Sequence, residues 1–332
     1  MKILSSISYR GNKYGLKLYT KIPTKEDYSK VIIIAANPRG GSTWLEDVLG
    51  RLRKSVCYYE PLNPSYIPEL AEMGFSMRNH IPQTSIENDT KEYFKKLFLG
   101  KLFNNRMTFH PMSKKQNIYD VINAKKRVFK FCRLNLMLPW LVDTFPQIAP
   151  PILLLRHPCA VVASQIKFGN VNGGGWKHVH SQLGFLSQKH SDYFQPYRAF
   201  CLSLKHKEEI LAAVWCLTNK YPLEHEYNNR RWLTISYEDL LLNTNDVINQ
   251  ICSKLNISNE FDILVNYTSQ HVASKTSINK KQIDKHLQLE SWKHSLSNQE
   301  INNIMRVVNF FEMDKFYNNN LVPNYKELYN QK

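Results

Sequence analysis

The chain's densest chemistry lies in Ile32 to Leu45, IIIAANPRGGSTWL, where an apolar run meets Pro, Arg, two glycines and a hydroxyl pair. Arg39 supplies a full positive charge, and Gly40 and Gly41 let backbone N–H groups approach a ligand closely. Ser42 and Thr43 add hydroxyl donors at what reads as a helix start, where the helix dipole favours an anion. Such a set suits a phosphate or a sulfate group. A nucleoside triphosphatase needs G-x-x-x-x-G-K-[ST], and this loop lacks both the first glycine and the lysine. The dinucleotide fingerprint G-x-G-x-x-G is absent as well.

Elements must hold that loop in place, and the apolar periodicity supplies them. Val31 to Ala36 is a continuous apolar run of the kind buried on both faces of a parallel sheet. Ser42 to Leu52 carries a helical stripe through Trp44, Leu45, Val48, Leu49 and Leu52. Further strands are expected at Val56 to Tyr59, Val128 to Cys132, Ile152 to Leu155 and Leu233 to Ser236, with helices at Ala160 to Ile166 and after Ser236. Ser297 and Glu300 form a capping box that opens a last amphipathic helix through Phe310.

This alternation predicts an α/β fold with a central parallel sheet flanked by helices, in one domain over residues 1–332. Residues 62–127 and 169–230 read as two largely helical insertions that line the substrate side.

The 332 residues carry 44 Lys and Arg against 28 Asp and Glu, a formal charge of +16 that attracts anionic ligands. The cations are dispersed without a basic stripe, so nucleic acid is not expected as a partner, and most lysines read as solvated surface. Six cysteines are scattered without C-x-x-C pairs, which points to free thiols in a reducing compartment rather than to zinc or a disulfide framework. No signal peptide or membrane-spanning run is evident, so a soluble, cytoplasmic protein is expected. The oligomeric state is open.

PRGGSTWL resembles the P-[KR]-[SG]-G-[ST]-[ST]-[WF]-L loop of sulfotransferases that use 3′-phosphoadenosine 5′-phosphosulfate (PAPS), where it cradles the 5′-phosphosulfate. LLLRHPCAVVASQ, Leu153 to Gln165, resembles the 3′-phosphate segment, with Arg156 followed eight residues later by Ser164. An Arg at a strand end and a Ser two turns into the next helix can converge on one phosphate from two sides. ISYEDLL resembles the segment whose Tyr, here Tyr237, lies near the adenine, and SWKHSLSNQEINNIM resembles the family's C-terminal Trp-containing region. The landmarks run from about Val31 to Tyr317, and RHPCAVVASQ is closer to bacterial members than to membrane-anchored ones.

The resemblance implies a P-loop NTPase-like sulfotransferase fold and a PAPS-dependent transferase that releases adenosine 3′,5′-bisphosphate and needs no metal. Its nucleotide residues are Arg39, Gly40, Gly41, Ser42, Thr43, Trp44, Arg156, Ser164 and Tyr237, with Lys275 and Ser277 in a late loop closing over the nucleotide. YYEPLNP resembles the FEPL segment of the carbohydrate-sulfating branch, which makes Glu60 the general base beside the phosphate loop, with Arg39 stabilising charge. Histidines serve that role in the small-phenol branch, and His178 and His180, near Trp176 in the Gly-rich turn, are candidate acceptor contacts. The expected acceptor is a hydroxyl or amine of a carbohydrate or small polar metabolite, its identity open. A non-catalytic nucleotide-binding protein of the same fold and a kinase-like phosphotransferase are the rival readings.

Overall fold

A computed structural model describes residues 15, 19–20, 22, 25–172, 178–270 and 284–329. Five strands form one all-parallel sheet: β1 (Val31–Ala36), β2 (Ser55–Tyr59), β3 (Lys126–Phe131), β4 (Ile152–Leu155) and β5 (Leu233–Ser236). Their order across the sheet is β2-β3-β1-β4-β5. β1 pairs with β3 from Val31 opposite Arg127 to Ala35 opposite Phe131, and with β4 from Ile34 opposite Ile152 to Ala36 opposite Leu154.

All six residues of β1 are buried because helices cover both faces. Ile33 and Ala35 point into one apolar cluster with Tyr58, Phe129 and Phe131, whereas Ile32, Ile34 and Ala36 point into the other with Leu45, Val48 and Ile235. That alternation is the two-residue period of a strand, and burial on both sides is why no polar residue interrupts the run. Helix α1 (Ser42–Leu49), α2 (Asn88–Phe98), α3 (Pro158–Asn172), α4 (Lys207–Glu224), α5 (Tyr237–Leu242), α6 (Thr244–Lys254) and α7 (Asn298–Phe310) supply the layers. Leu45 and Ile248 pack with the second cluster, and Phe94, Trp215 and Val307 with the first.

The expected elements differ from the observed ones mainly at their ends. α1 stops at Gly50, whose N–H donates to Glu46 O, so Leu52 is buried from the turn rather than from the helix. α3 opens on Pro158 and runs on to Asn172, beyond the expected Ile166, since proline suits a first helical position. Ser297 and Glu300 form the reciprocal cap expected for α7. The stretch 169–230 is not all periphery, because α4 is buried along nearly its whole length and lies in the core between β4 and β5 in sequence.

The strand order changes direction at β1. From there the chain first goes out to the edge strand β2 and returns to β3 between β2 and β1, then crosses to the other side for β4 and β5. The crevice beyond the carboxyl ends of β1 and β4 is therefore left open by topology, and ligands bind at such switch points in open parallel sheets.

Candidate active site

The turn after β1 is built for close approach. Gly41 has φ +96, and a Cβ there would stand 2.4 Å from the Tyr237 ring, so only glycine fits. A Cβ at Gly40 would meet Asn37 O at 2.9 Å. Arg39 itself has φ 72, a left-handed conformation that costs a non-glycine residue about 1–2 kcal/mol. No side chain caps α1, so the first-turn amides of Ser42 and Thr43 have no intrahelical acceptor. Unspent N–H groups at a helix start are an anion site.

Tertiary structure brings the second arginine to this turn. Arg156, just past β4, donates from Nη1 to Arg39 O at 3.1 Å, and its guanidinium lies over the Tyr237 ring at 4.5 Å from the centroid. Arg39 Nε donates to Ser164 Oγ at 3.0 Å, and Gln165 Nε2 donates to Pro38 O at 3.0 Å, tying α3 to the loop. The Trp44 and Tyr237 rings meet edge to face at 6.1 Å. Trp215 Nε1 donates to Arg156 O at 3.1 Å, so core helix α4 fixes the strand end that carries the arginine.

Arg39, Ser42, Trp44, Arg156, Ser164 and Tyr237 thus lie together at the turn after β1. Neither Arg39 nor Arg156 meets a carboxylate at ion-pair distance among the described residues, and no Asp or Glu lies outside those residues. Burial, then the facing charge of Arg156, lowers the pKa of Arg39. Buried donors without a partner include Trp44 Nε1 and Arg156 Nε. Two adjacent cations with unspent donors are costly alone and fit a polyanion between them.

Glu60 directly follows β2 with φ 51, also left-handed. The expectation of a base beside the phosphate loop needs correction in one respect, because the strand before Glu60 does not adjoin the loop strand: β3 lies between β2 and β1. The order arises because the chain leaves a gap after β2 that β3 fills, a choice no local pattern records. Contact with the loop is relayed instead, since Glu60 Oε2 accepts from the Cys132 amide at 3.0 Å and Cys132 Sγ lies 3.6 Å from Ser42 Oγ.

Both oxygens of Glu60 are occupied. Oε1 pairs with Lys130 Nζ at 2.9 Å and Oε2 with Arg133 Nη1 at 2.8 Å, in a group only 5% exposed. Burial pushes its carboxyl up, but the Lys130 and Arg133 charges and the hydrogen bonds from the Cys132 amide and Lys130 outweigh that and hold it at about 2. Lys130 also lies over the Tyr59 ring, 3.5 Å from the centroid, and His110 stacks on that same ring at 3.7 Å between centroids. His110 Nδ1 accepts from the Met112 amide at 3.1 Å. Sequence reasoning did not single out Lys130, Arg133 or His110 for this role. The signal was available in KRVFKFCR, where a lysine inside a buried strand demands a partner.

His178 and His180 are exposed, at the start of a 3₁₀ segment over Val179–Ser187. Trp176, Lys275 and Ser277 lie outside the described residues. A cavity near β5, lined by Asn229, Leu233, Asp246 and Tyr329, contains none of the loop residues.

Comparison with known proteins gives a consistent result. The sequence profile of the sulfotransferase domain matches residues 29–317. No curated protein matches the chain. Solved structures similar to it include a sulfotransferase domain from the curacin biosynthetic pathway, at 18% identity over 88% of this chain and 98% of that one, with a TM-score of 0.43. A mouse sulfotransferase complexed with PAP is 14% identical over 89% of this chain and 87% of its own, with a TM-score of 0.43. The sulfotransferase domain of the Synechococcus PCC 7002 olefin synthase is 16% identical over 87% of this chain and 97% of that one, with a TM-score of 0.42.

Proposed function

Because the chain belongs to the sulfotransferase domain family, with its P-loop-like fold, we propose that it moves the sulfuryl group of PAPS to a hydroxyl or amine of a polar acceptor. The acceptor is a carbohydrate or a small specialised metabolite. One observation carries this reading: Arg39 and Arg156 stand together at the carboxyl ends of β1 and β4 with no carboxylate between them. A ligand with phosphates at two positions of one ribose is the kind of anion such a pair accommodates.

In this reading the turn amides, Gly40, Gly41, Ser42, Thr43 and Arg39 hold the 5′ end of the nucleotide. Arg156 and Ser164 hold the 3′-phosphate, and Trp44 and Tyr237 face the base. Lys275 and Ser277 are assigned to closing over the nucleotide, and Trp176, His178 and His180 to the acceptor. The donor supplies the sulfuryl group, and transfer is an in-line displacement for which positioning and charge neutralisation do most of the work. Arg39 and the amides offset the charge left on the departing phosphate without a metal.

Glu60 is the proposed general base, and it must release Lys130 or Arg133 to accept a proton. His110 is the alternative, half-buried beside the same cluster. All six cysteines are free and buried, which supports a reducing, cytoplasmic setting. Among the described residues no helix is long and apolar enough to cross a membrane.

Titration calorimetry with adenosine 3′,5′-bisphosphate tests the nucleotide assignment, and saturable binding that Arg156→Met weakens is expected. Absence of binding to the unaltered protein removes the reading. Labelled PAPS with a panel of sugars, alcohols and amines then separates a transferase from a nucleotide-binding scaffold.

A further inference from the structure

Arg78 lies in the first long connection, outside the nucleotide clamp, and is only 5% exposed. Its one side-chain partner in the described structure is neutral: Nη1 donates to Gln182 Oε1 at 2.8 Å. No carboxylate meets it at ion-pair distance among the described residues, and no Asp or Glu lies outside them. Glu60, the carboxylate that Arg133 pairs with, already spends both oxygens on Lys130 and Arg133. Burial, then the charge of Arg133, pulls the Arg78 pKa down from 12.5 to about 9. An arginine so placed is destabilising unless an anion comes to it.

Its location says which anion. Arg133 Nη2 reaches the Met77 sulfur at 3.9 Å, so Arg78's segment stands over the end of β3, next to Glu60. Arg39 and Arg156 stand instead past the ends of β1 and β4, the next two strands across the sheet. Gln182 brings the second long connection down onto the same spot, so both insertions meet at Arg78.

We infer that Arg78, with Arg133 beside it, receives an oxyanion carried by the acceptor, so that the preferred acceptor is an acid whose reacting hydroxyl or amine faces Glu60. The inference rests on the sulfuryl-transfer reading and adds to it the charge of the substrate. Arg78 is then a specificity determinant that touches the acceptor and takes no part in proton transfer.

The test uses the full chain saturated with adenosine 3′,5′-bisphosphate for binding, and labelled PAPS for turnover. The probes are two matched pairs, methyl β-glucuronide with methyl β-glucoside, and 4-hydroxybenzoate with 4-hydroxybenzamide. The unaltered protein is expected to favour the carboxylate of at least one pair by about tenfold or more in affinity or kcat/KM. Arg78→Met is expected to abolish that preference while leaving nucleotide affinity within about twofold, and Arg78→Lys to restore part of it. Arg78→Met is also expected to raise the melting temperature in low-salt buffer, because it removes an uncompensated buried charge.

No carboxylate preference in the unaltered protein overturns the inference, as does a lower melting temperature with the preference intact. A large loss of nucleotide affinity in Arg78→Met also overturns it, by assigning Arg78 to the donor. Failure of the unaltered protein to bind the nucleotide at all is a separate result, which overturns the sulfotransferase reading itself.

Discussion

A carboxylate whose two oxygens are both taken gains a proton only by giving up a partner, and Glu60 is in that position. Glu60→Gln is therefore expected to do two separable things. Turnover should fall by roughly two to four orders of magnitude with nucleotide affinity kept, as for loss of a general base. Stability should fall too, because Lys130 and Arg133 lose their counter-charge, an effect of about 3–5 kcal/mol for a broken buried pair. Steady-state kinetics and denaturant unfolding distinguish them, and near-normal turnover in a folded variant shifts the base to His110. The pH dependence is a second check. The folded-state pKa of Glu60, about 2, lies below its ordinary 4.5, so its stabilisation is complete above the ordinary value and is lost as pH falls from about 4.5 toward 2. Melting temperature should decline through that window, and Glu60→Gln should flatten the decline. At the same scale, Glu60 and Arg39 were readable from residue type and position. Their neighbours Lys130, Arg133 and Arg78 were not, since ion-pair partners 70 and 73 residues from Glu60 leave no local trace.

Among the elements, the strand–turn–helix around Arg39 was the most legible, because its local needs are written in consecutive residues. Four β-formers, two glycines and a hydroxyl pair specify a buried strand, a close-approach turn and a helix start. The structure adds why Gly41 is glycine, since its missing Cβ is the space that the Tyr237 ring occupies, 196 positions later in the chain. Gly41→Ala is expected to displace Tyr237 or the turn, to lower the melting temperature by several degrees and to weaken adenosine 3′,5′-bisphosphate binding by at least tenfold. Calorimetry and thermal unfolding read both, and unchanged affinity would mean that the turn is not the anion cradle. Helix α4 was the least legible element. Read as part of a variable insertion, it is a core helix whose Trp215 steadies Arg156, because burial depends on what packs around a helix and not on its own sequence alone.

For the whole molecule, the charge of +16 makes a prediction about rates. Association of adenosine 3′,5′-bisphosphate, followed by stopped-flow, should slow several-fold between about 20 and 200 mM salt, while dissociation changes less, because long-range attraction is screened and direct contacts are not. A salt-independent association rate would place the excess cations away from the entrance. Residue order alone determined the α/β class, three strands to the residue, the capping box of α7, and the strand–turn–helix that carries Arg39, since these follow from patterns of two to ten neighbouring residues. Tertiary structure alone decided the rest. It put β3 between β2 and β1, set Arg156 against Arg39, locked Glu60 between two cations and set Arg78 against the neutral Gln182. Each of these is a contact between distant positions, chosen by how the sheet closes and where charges can be buried, and no stretch of sequence contains both partners.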